Sequence, residues 1–141
     1  MSTVSMYHNN VRLRVCGICC RENSLLLINH RGLNKTDTFW MPPGGGIEFG
    51  ETLHSCLIRE FKEETGYDIT PGKLITIHEH IAPPLHAVEH FYDVHITSGT
   101  LKKGTDPELT HQLIKEVKWM SLDELSNIPD EAKHPVLKYY F

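Results

Sequence analysis

Three glutamates lie close together in the stretch Arg59-Glu60-Phe61-Lys62-Glu63-Glu64-Thr65-Gly66. On a helix, Glu60, Glu63 and Glu64 stand at i, i+3 and i+4 and project to one side, where like charges repel by a few tenths of a kcal/mol per pair. The carbonyl end of the helix adds roughly half a negative charge of its own. Stepping back along the helix from Glu60 and Glu64 reaches Leu57 and Leu53, so these carboxylates border an apolar stripe, and Lys62 points elsewhere. One reading is a solvated, charge-rich helix face. The other is a seat for a hard divalent cation: Mg²⁺ takes a few carboxylate oxygens, keeps several waters and shares its site with substrate phosphates.

The flanking residues decide between them. Five residues separate Gly45 from Glu51 and seven separate Glu51 from Arg59; then follow Arg-Glu-hydrophobic-x-Glu-Glu-x-Gly and Tyr67. Gly45, Glu51, Arg59, Glu60, Glu63, Glu64 and Gly66 are similar to the Nudix box at every fixed position, and only Tyr67 departs, where an aliphatic residue is more usual. The strict match covers residues 45–67, with looser resemblance in Trp40-x-Pro-Pro-Gly-Gly before it and Trp119-Met-Ser-Leu-Asp-Glu-Leu after it.

The resemblance implies an α/β/α sandwich with a central mixed β-sheet. It also implies a pyrophosphohydrolase that uses Mg²⁺ or Mn²⁺ to cleave a diphosphate linkage in a nucleoside diphosphate derivative: a sugar nucleotide, an ADP-ribose-like compound or a nucleoside triphosphate. Carried over by position, Glu60 and Glu64 are metal ligands, Glu63 is a further ligand, and the Gly45 carbonyl supplies another oxygen. Arg59 pairs with Glu51 and holds Glu60, which is the candidate general base. A glutamate outside the helix can serve as base or extra ligand in this family, and here Glu108 and Glu116 are the candidates. The rival is a non-catalytic module that binds nucleotides as a sensor; loss of box carboxylates would favour it, and none is missing.

Substrate contacts are fainter. Arg31 precedes the box in a position to meet a phosphate, and Trp40 or Tyr92 could stack on a base, with burial in the core as the alternative for both aromatics. Pro83 and Pro84 lie about sixteen residues beyond the box, near a proline associated with ADP-ribose-type members. The segment HEHIAPPLHAVEHFYDVH carries His78, His80, His86, His90 and His95. His78 and His80 would share a strand face, and imidazole can bind a transition metal, although no complete zinc pattern emerges. Cys16 and Cys19 have C-x-x-C spacing, but on a strand they point to opposite faces, so Cys16, Cys19, Cys20 and Cys56 read as reduced core cysteines.

These residues must be held by the elements around them. Val11–Cys20 and Leu25–Ile28 read as strands of a hairpin turning at Arg21–Ser24, and residues 31–38 as a loop. Trp40–Gly46, with its two prolines and three glycines, excludes a regular helix. Apolar positions Leu53, Leu57, Ile58 and Phe61 mark a helix from Thr52 to Thr65, with Thr52 as N-cap and Gly66 ending it. Lys73–Ile81 and Val88–Ile96 read as strands, Ser98–Pro107 as a polar loop, Glu116–Met120 as a strand, and Ser121–Glu124 and Pro135–Tyr140 as short helical pieces. With 141 residues, 40% hydrophobic and 23% charged, the chain reads as one ordinary globular domain, 1–141. A formal net charge of −4 gives no basic footprint for nucleic acid or anionic membrane. No run approaches a membrane span, and the first residues lack the apolar core of a signal peptide, so a cytoplasmic location is expected. A small-molecule nucleotide is the expected partner, with a homodimer possible.

Overall fold

The computed structural model describes residues 10–31, 37–102 and 114–139. Strand β1 (Val11–Ile18) stops one residue before a two-residue strand, β2 (Cys20–Arg21), which turns at Glu22 into β3 (Ser24–His30). Glu22 has φ 55°, the left-handed conformation that so tight a reversal needs. The proline- and glycine-rich stretch yields two short strands, β4 (Phe39–Met41) and β5 (Gly44–Gly46). Helix α1 (Leu53–Thr65) follows, then the long strands β6 (Tyr67–Ala82) and β7 (Leu85–Gly99), joined at Pro83-Pro84. Strand β8 (Ile114–Ser121), helix α2 (Leu122–Ser126), a 3₁₀ turn (Asp130–Ala132) and α3 (Val136–Tyr139) complete the order.

The expected mixed sheet is present, in the order β5-β1-β7-β6, with β1 and β7 parallel and the other pairs antiparallel. A second, antiparallel sheet is built around β3, which pairs with β2, β4 and β8. Strand β3 is buried on both faces, and its alternating side chains divide between two cores as a strand's period of two requires. Leu26 and Ile28 join Val15, Leu57, Phe61 and Val94 beneath α1. Leu25 and Leu27 join Cys16, Phe91, Leu125, Val136 and Leu137 on the opposite side. Helix α1 therefore covers one face and the C-terminal helical pieces the other, which is the α/β/α layering.

Several elements differ from their sequence reading. The strand expected over Val11–Cys20 breaks at Cys19, so Cys16 and Cys19 are buried while Cys20 is exposed; all four cysteines are free thiols. Strand β6 begins at Tyr67 rather than Lys73, because three bulged register shifts carry the ladder past Pro71 and Gly72. Ile58, assigned to the apolar stripe, is 40% exposed. The helix ends are as expected: the Thr52 hydroxyl accepts the Ser55 N–H, and Gly66 has φ 86°. No helix among the described residues is long and apolar enough to cross a membrane.

Candidate active site

The site forms where α1 lies against the edge strand β5. A capping box at Thr52 and Ser55 fixes where the helix begins, and burial of Leu57 and Phe61 fixes its rotation. That rotation turns Glu60 and Glu64 toward the glycine strand. Gly45 sits so close that a Cβ there would land on the Glu60 carboxylate, which only glycine permits. One strand residue earlier, the Gly44 N–H donates to Glu64 Oε1 at 2.8 Å. Glu60, Glu64 and the glycine strand are thus brought together.

Arg59 organises the outer side of this cluster. Its Nε and NH2 donate to the two Glu51 oxygens at 2.7 and 2.8 Å, a forked pairing. Its NH1 donates to Glu60 Oε1 at 3.0 Å and reaches Glu63 Oε2 at 3.4 Å. The Arg59 hydrogen bonds hold the Glu51 carboxyl down at about 2, and Glu51 in turn raises the Arg59 pKa. Glu51 also accepts the Glu48 N–H at 2.9 Å, tying the loop before the helix to the same guanidinium.

Glu60 and Glu64 respond differently. Burial raises the Glu60 pKa, with Arg59 opposing. Glu64 is 4% exposed, and burial together with the Glu60 charge pushes its pKa well above the carboxylate range, only partly offset by the Gly44 N–H. Among the described residues no side chain forms an ion pair with Glu64. A buried carboxylate in that position is relieved by a cation, so the donor set (Glu60, Glu63, Glu64 and the Gly45 carbonyl) suits a hard divalent ion with oxygen ligands.

The remaining candidates are placed elsewhere. Trp40 is 5% exposed and packs in the core with Phe91 and Leu137, so the expectation that it stacks on substrate gives way to a packing role. Tyr92 is likewise buried, against α1. Arg31 is exposed at the end of β3 and is not drawn to the box carboxylates. Glu116 is exposed on β8 opposite Asn29. Glu108 lies outside the described residues. Pro83 and Pro84 form the turn between β6 and β7.

One group was missed in the sequence. Glu89 on β7 is 3% exposed and accepts from His134 Nε2 at 2.8 Å, His78 Nδ1 at 3.2 Å and Arg14 NH1 at 2.9 Å. The ligand atoms of His78, Glu89 and His134 lie within 4.8 Å of one another. Their arrangement is nevertheless a hydrogen-bond network: Val136 N–H donates to His134 Nδ1 at 3.0 Å, so the His134 proton resides on Nε2 and points at Glu89. Two histidines of the rich segment, His78 and His80, do share a face, with ring centroids 6.5 Å apart. His134, some fifty residues further on, carried no signal of its own.

Comparison with known proteins bears on the whole assembly. The family model described as NUDIX domain matches residues 10–140. The ADP-ribose pyrophosphatase of Methanocaldococcus jannaschii is 29% identical over 127 residues, covering 89% of this chain and 70% of that protein. YjhB of Bacillus subtilis, which carries a provisional ADP-ribose pyrophosphatase name, is 33% identical over 97 residues, 65% of this chain. The matched part spans only 45% of the length of YjhB. A NUDIX hydrolase structure from Nitrosomonas europaea superimposes with a TM-score of 0.74 at 20% identity, over 92% of this chain and 84% of that one.

Proposed function

The chain belongs to the Nudix family, and from that premise we propose that it is a divalent-metal-dependent pyrophosphohydrolase cleaving a diphosphate linkage in a nucleoside diphosphate derivative. The observation that carries this reading is Glu64: a carboxylate buried beside Glu60, with one backbone donor and no ion-pair partner among the described residues. Among the described residues only the Gly44 N–H and, through its charge alone, Arg14 favour the ionised form. A site that takes up a cation with its substrate would relieve it.

Glu60, Glu64 and Glu63 would hold the ion, Mg²⁺ or Mn²⁺, with the Gly45 carbonyl. When bound, it would neutralise phosphate oxygens and make a nearby water more acidic. The chain's own residues supply the rest. Arg59, clamped by Glu51, fixes the Glu60 and Glu63 carboxylates in position. Glu60 takes the proton from the water that attacks phosphorus. Gly45 keeps the strand close enough for Glu60 to lie across it. The names of the relatives make ADP-ribose the first compound to test, within the wider class of sugar nucleotides and nucleoside triphosphates.

A panel of nucleoside diphosphate derivatives, incubated with Mg²⁺ and with chelator and resolved by product identification, tests the reading. Metal-dependent release of two phosphate-containing products is expected. Tight binding across the panel with no turnover in any metal would instead support a nucleotide sensor.

A further inference from the structure

The carboxylates occupy one side of strand β5, and its other side is basic. On β1, Arg14 pairs in register with Gly46 on β5 and with Glu89 on β7, so it sits between them on the face turned away from α1. Arg12 lies on the same face, and its guanidinium is so close over Gly46 that a Cβ there would stand 2.7 Å from Arg12 NH2. Gly45 thus makes room for a carboxylate on one side of the strand, and Gly46 for a guanidinium on the other. Burial lowers the His30 pKa, the Arg31 carbonyl opposes it, and the charges of Arg14 and Arg12 add to the lowering.

Arg14 is anchored at one end only. NH1 donates to Glu89, while Nε is buried with no acceptor among the described residues. A buried donor without a partner is uncommon and calls for an explanation, of which a water or a ligand oxygen is one. Glu89 has little capacity left to respond, since its two oxygens already take Arg14, His134 and His78. It stays ionised, with a pKa of about 2: burial would raise it, but the His134 hydrogen bond and the Arg14 charge outweigh that. The trio of His78, Glu89 and His134 is therefore a brace for the guanidinium. An ion placed among them would have to displace the His134 Nε2 proton and sit beside a fixed positive charge.

We propose that Arg14 is a phosphate-binding residue of this site, its guanidinium held by Glu89 and offered to an oxygen of the substrate's diphosphate from the sheet face opposite α1. Glu89 is then a positioning residue. The proposal rests on the pyrophosphohydrolase reading and adds the half of the charge balance that the carboxylates omit. A diphosphate laid over the glycine strand meets the metal-binding side at Glu60 and Glu64 and a fixed guanidinium at Arg14. Arginine rather than lysine suits the task, because one edge of its planar fork can stay on Glu89 while another turns to phosphate.

Imidodiphosphate, which resists hydrolysis, is the probe, titrated calorimetrically in chelator so that no cation takes part. The wild type is expected to bind it; Arg14→Met is expected to weaken binding about tenfold or more, and Arg14→Lys by less. In the wild type, the Arg14 Nε–H resonance, assigned by its loss in Arg14→Lys, is expected to shift on titration, a readout that a purely structural ion pair would not move. An unmoved resonance at saturating probe, or wild-type affinity in folded Arg14→Met, overturns the proposal; so does absence of binding by the wild type in chelator. Probe binding through Arg14 without turnover of any nucleotide would sink the hydrolase reading and leave this site standing. Metal-dependent turnover with unchanged KM in Arg14→Met would do the reverse.

Discussion

Replacing Glu64 by glutamine separates the two roles of that side chain. The amide keeps an oxygen for the Gly44 N–H, which Glu64 Oε1 accepts at 2.8 Å, and presents an NH₂ in place of the second carboxylate oxygen near Glu60. Charge is removed from a group 4% exposed, and repulsion becomes a possible hydrogen bond. The gain is about 1–3 kcal/mol, the cost of a buried polar group left short of partners, or roughly 3–10 °C in Tm for a chain of this size. The sign depends on pH in a defined way. Burial holds the folded-state pKa of Glu64 well above the ordinary carboxylate value of 4.5, so the folded form binds the extra proton. Stability of the wild type then falls as pH rises from that ordinary value through the raised one. The advantage of Glu64→Gln is full above the raised pKa and vanishes near about pH 4.5. Thermal melting in chelator across this range checks it. With Mg²⁺ at a thousand times its dissociation constant the wild type should gain about 4.1 kcal/mol and overtake the variant, which should also lose nearly all turnover. A variant melting at or below the wild type in chelator at neutral pH refutes the argument that this charge is an unmet cost.

Arg59→Lys removes the forked pairing to Glu51, at 2.7 and 2.8 Å; a loss of about 1–3 kcal/mol in melting and at least about tenfold in turnover is expected. Gly45→Ala drives the Glu60 carboxylate aside, so turnover should fall by about two orders of magnitude, the scale for misplacing a reacting group by an ångström; kinetics under single-turnover conditions would show it. Glu89 has its pKa depressed to about 2, so its stabilisation is complete above the unfolded value, decays as pH falls and is gone below about 2. Acid unfolding should show Glu89→Gln less stable by about 3 kcal/mol at neutral pH, the gap closing on acidification. Lys102→Ala removes a 2.6 Å bond to the Glu63 carbonyl at the end of α1; melting should register about 0.3–1 kcal/mol, with turnover unchanged.

The carboxylate site was legible because its residues are neighbours in sequence and helical geometry alone groups them. Thr52 and Gly66 marked the helix ends for the same local reason, through a hydroxyl cap and a left-handed residue. The basic side was illegible because it is assembled by sheet register. Arg14, Glu89 and His134 come from β1, β7 and the segment before α3, and only the parallel pairing of Arg14 with Glu89 makes them adjacent. Strands β4 and β5 were hidden for a different reason. Composition excludes a helix at Trp40–Gly46, but glycines carry no side-chain alternation from which a strand could be read. Trp40 shows the limit of residue type as a guide: an indole suits stacking on a base or filling a core equally, and burial decides for the core.

The opening puzzle of negative charge at the carbonyl end of a helix has two parts, and the fold answers them separately. The carbonyl pole is met by lysines: Lys62 Nζ donates to the Gly66 carbonyl at 3.3 Å and Lys102 Nζ to the Glu63 carbonyl at 2.6 Å. Lys62 also reaches Asp68 at 3.3 Å, so it serves the helix end and not the glutamates. Among the described residues the carboxylates are hydrogen-bonded by one side-chain cation, Arg59 on their outer flank, while Glu64 faces the glycine strand with no ion-pair partner and feels Arg14 through its charge alone. Among the described residues the lysines neutralise the helix pole and Arg59 holds Glu51, Glu60 and Glu63, which leaves the inward charge of Glu64 without an ion-pair partner. The same division recurs across β5, where Arg14 is satisfied toward Glu89 and unsatisfied at Nε. An excess of negative charge on one side and an unmet donor on the other are opposite deficits, and a metal diphosphate would fill both at once.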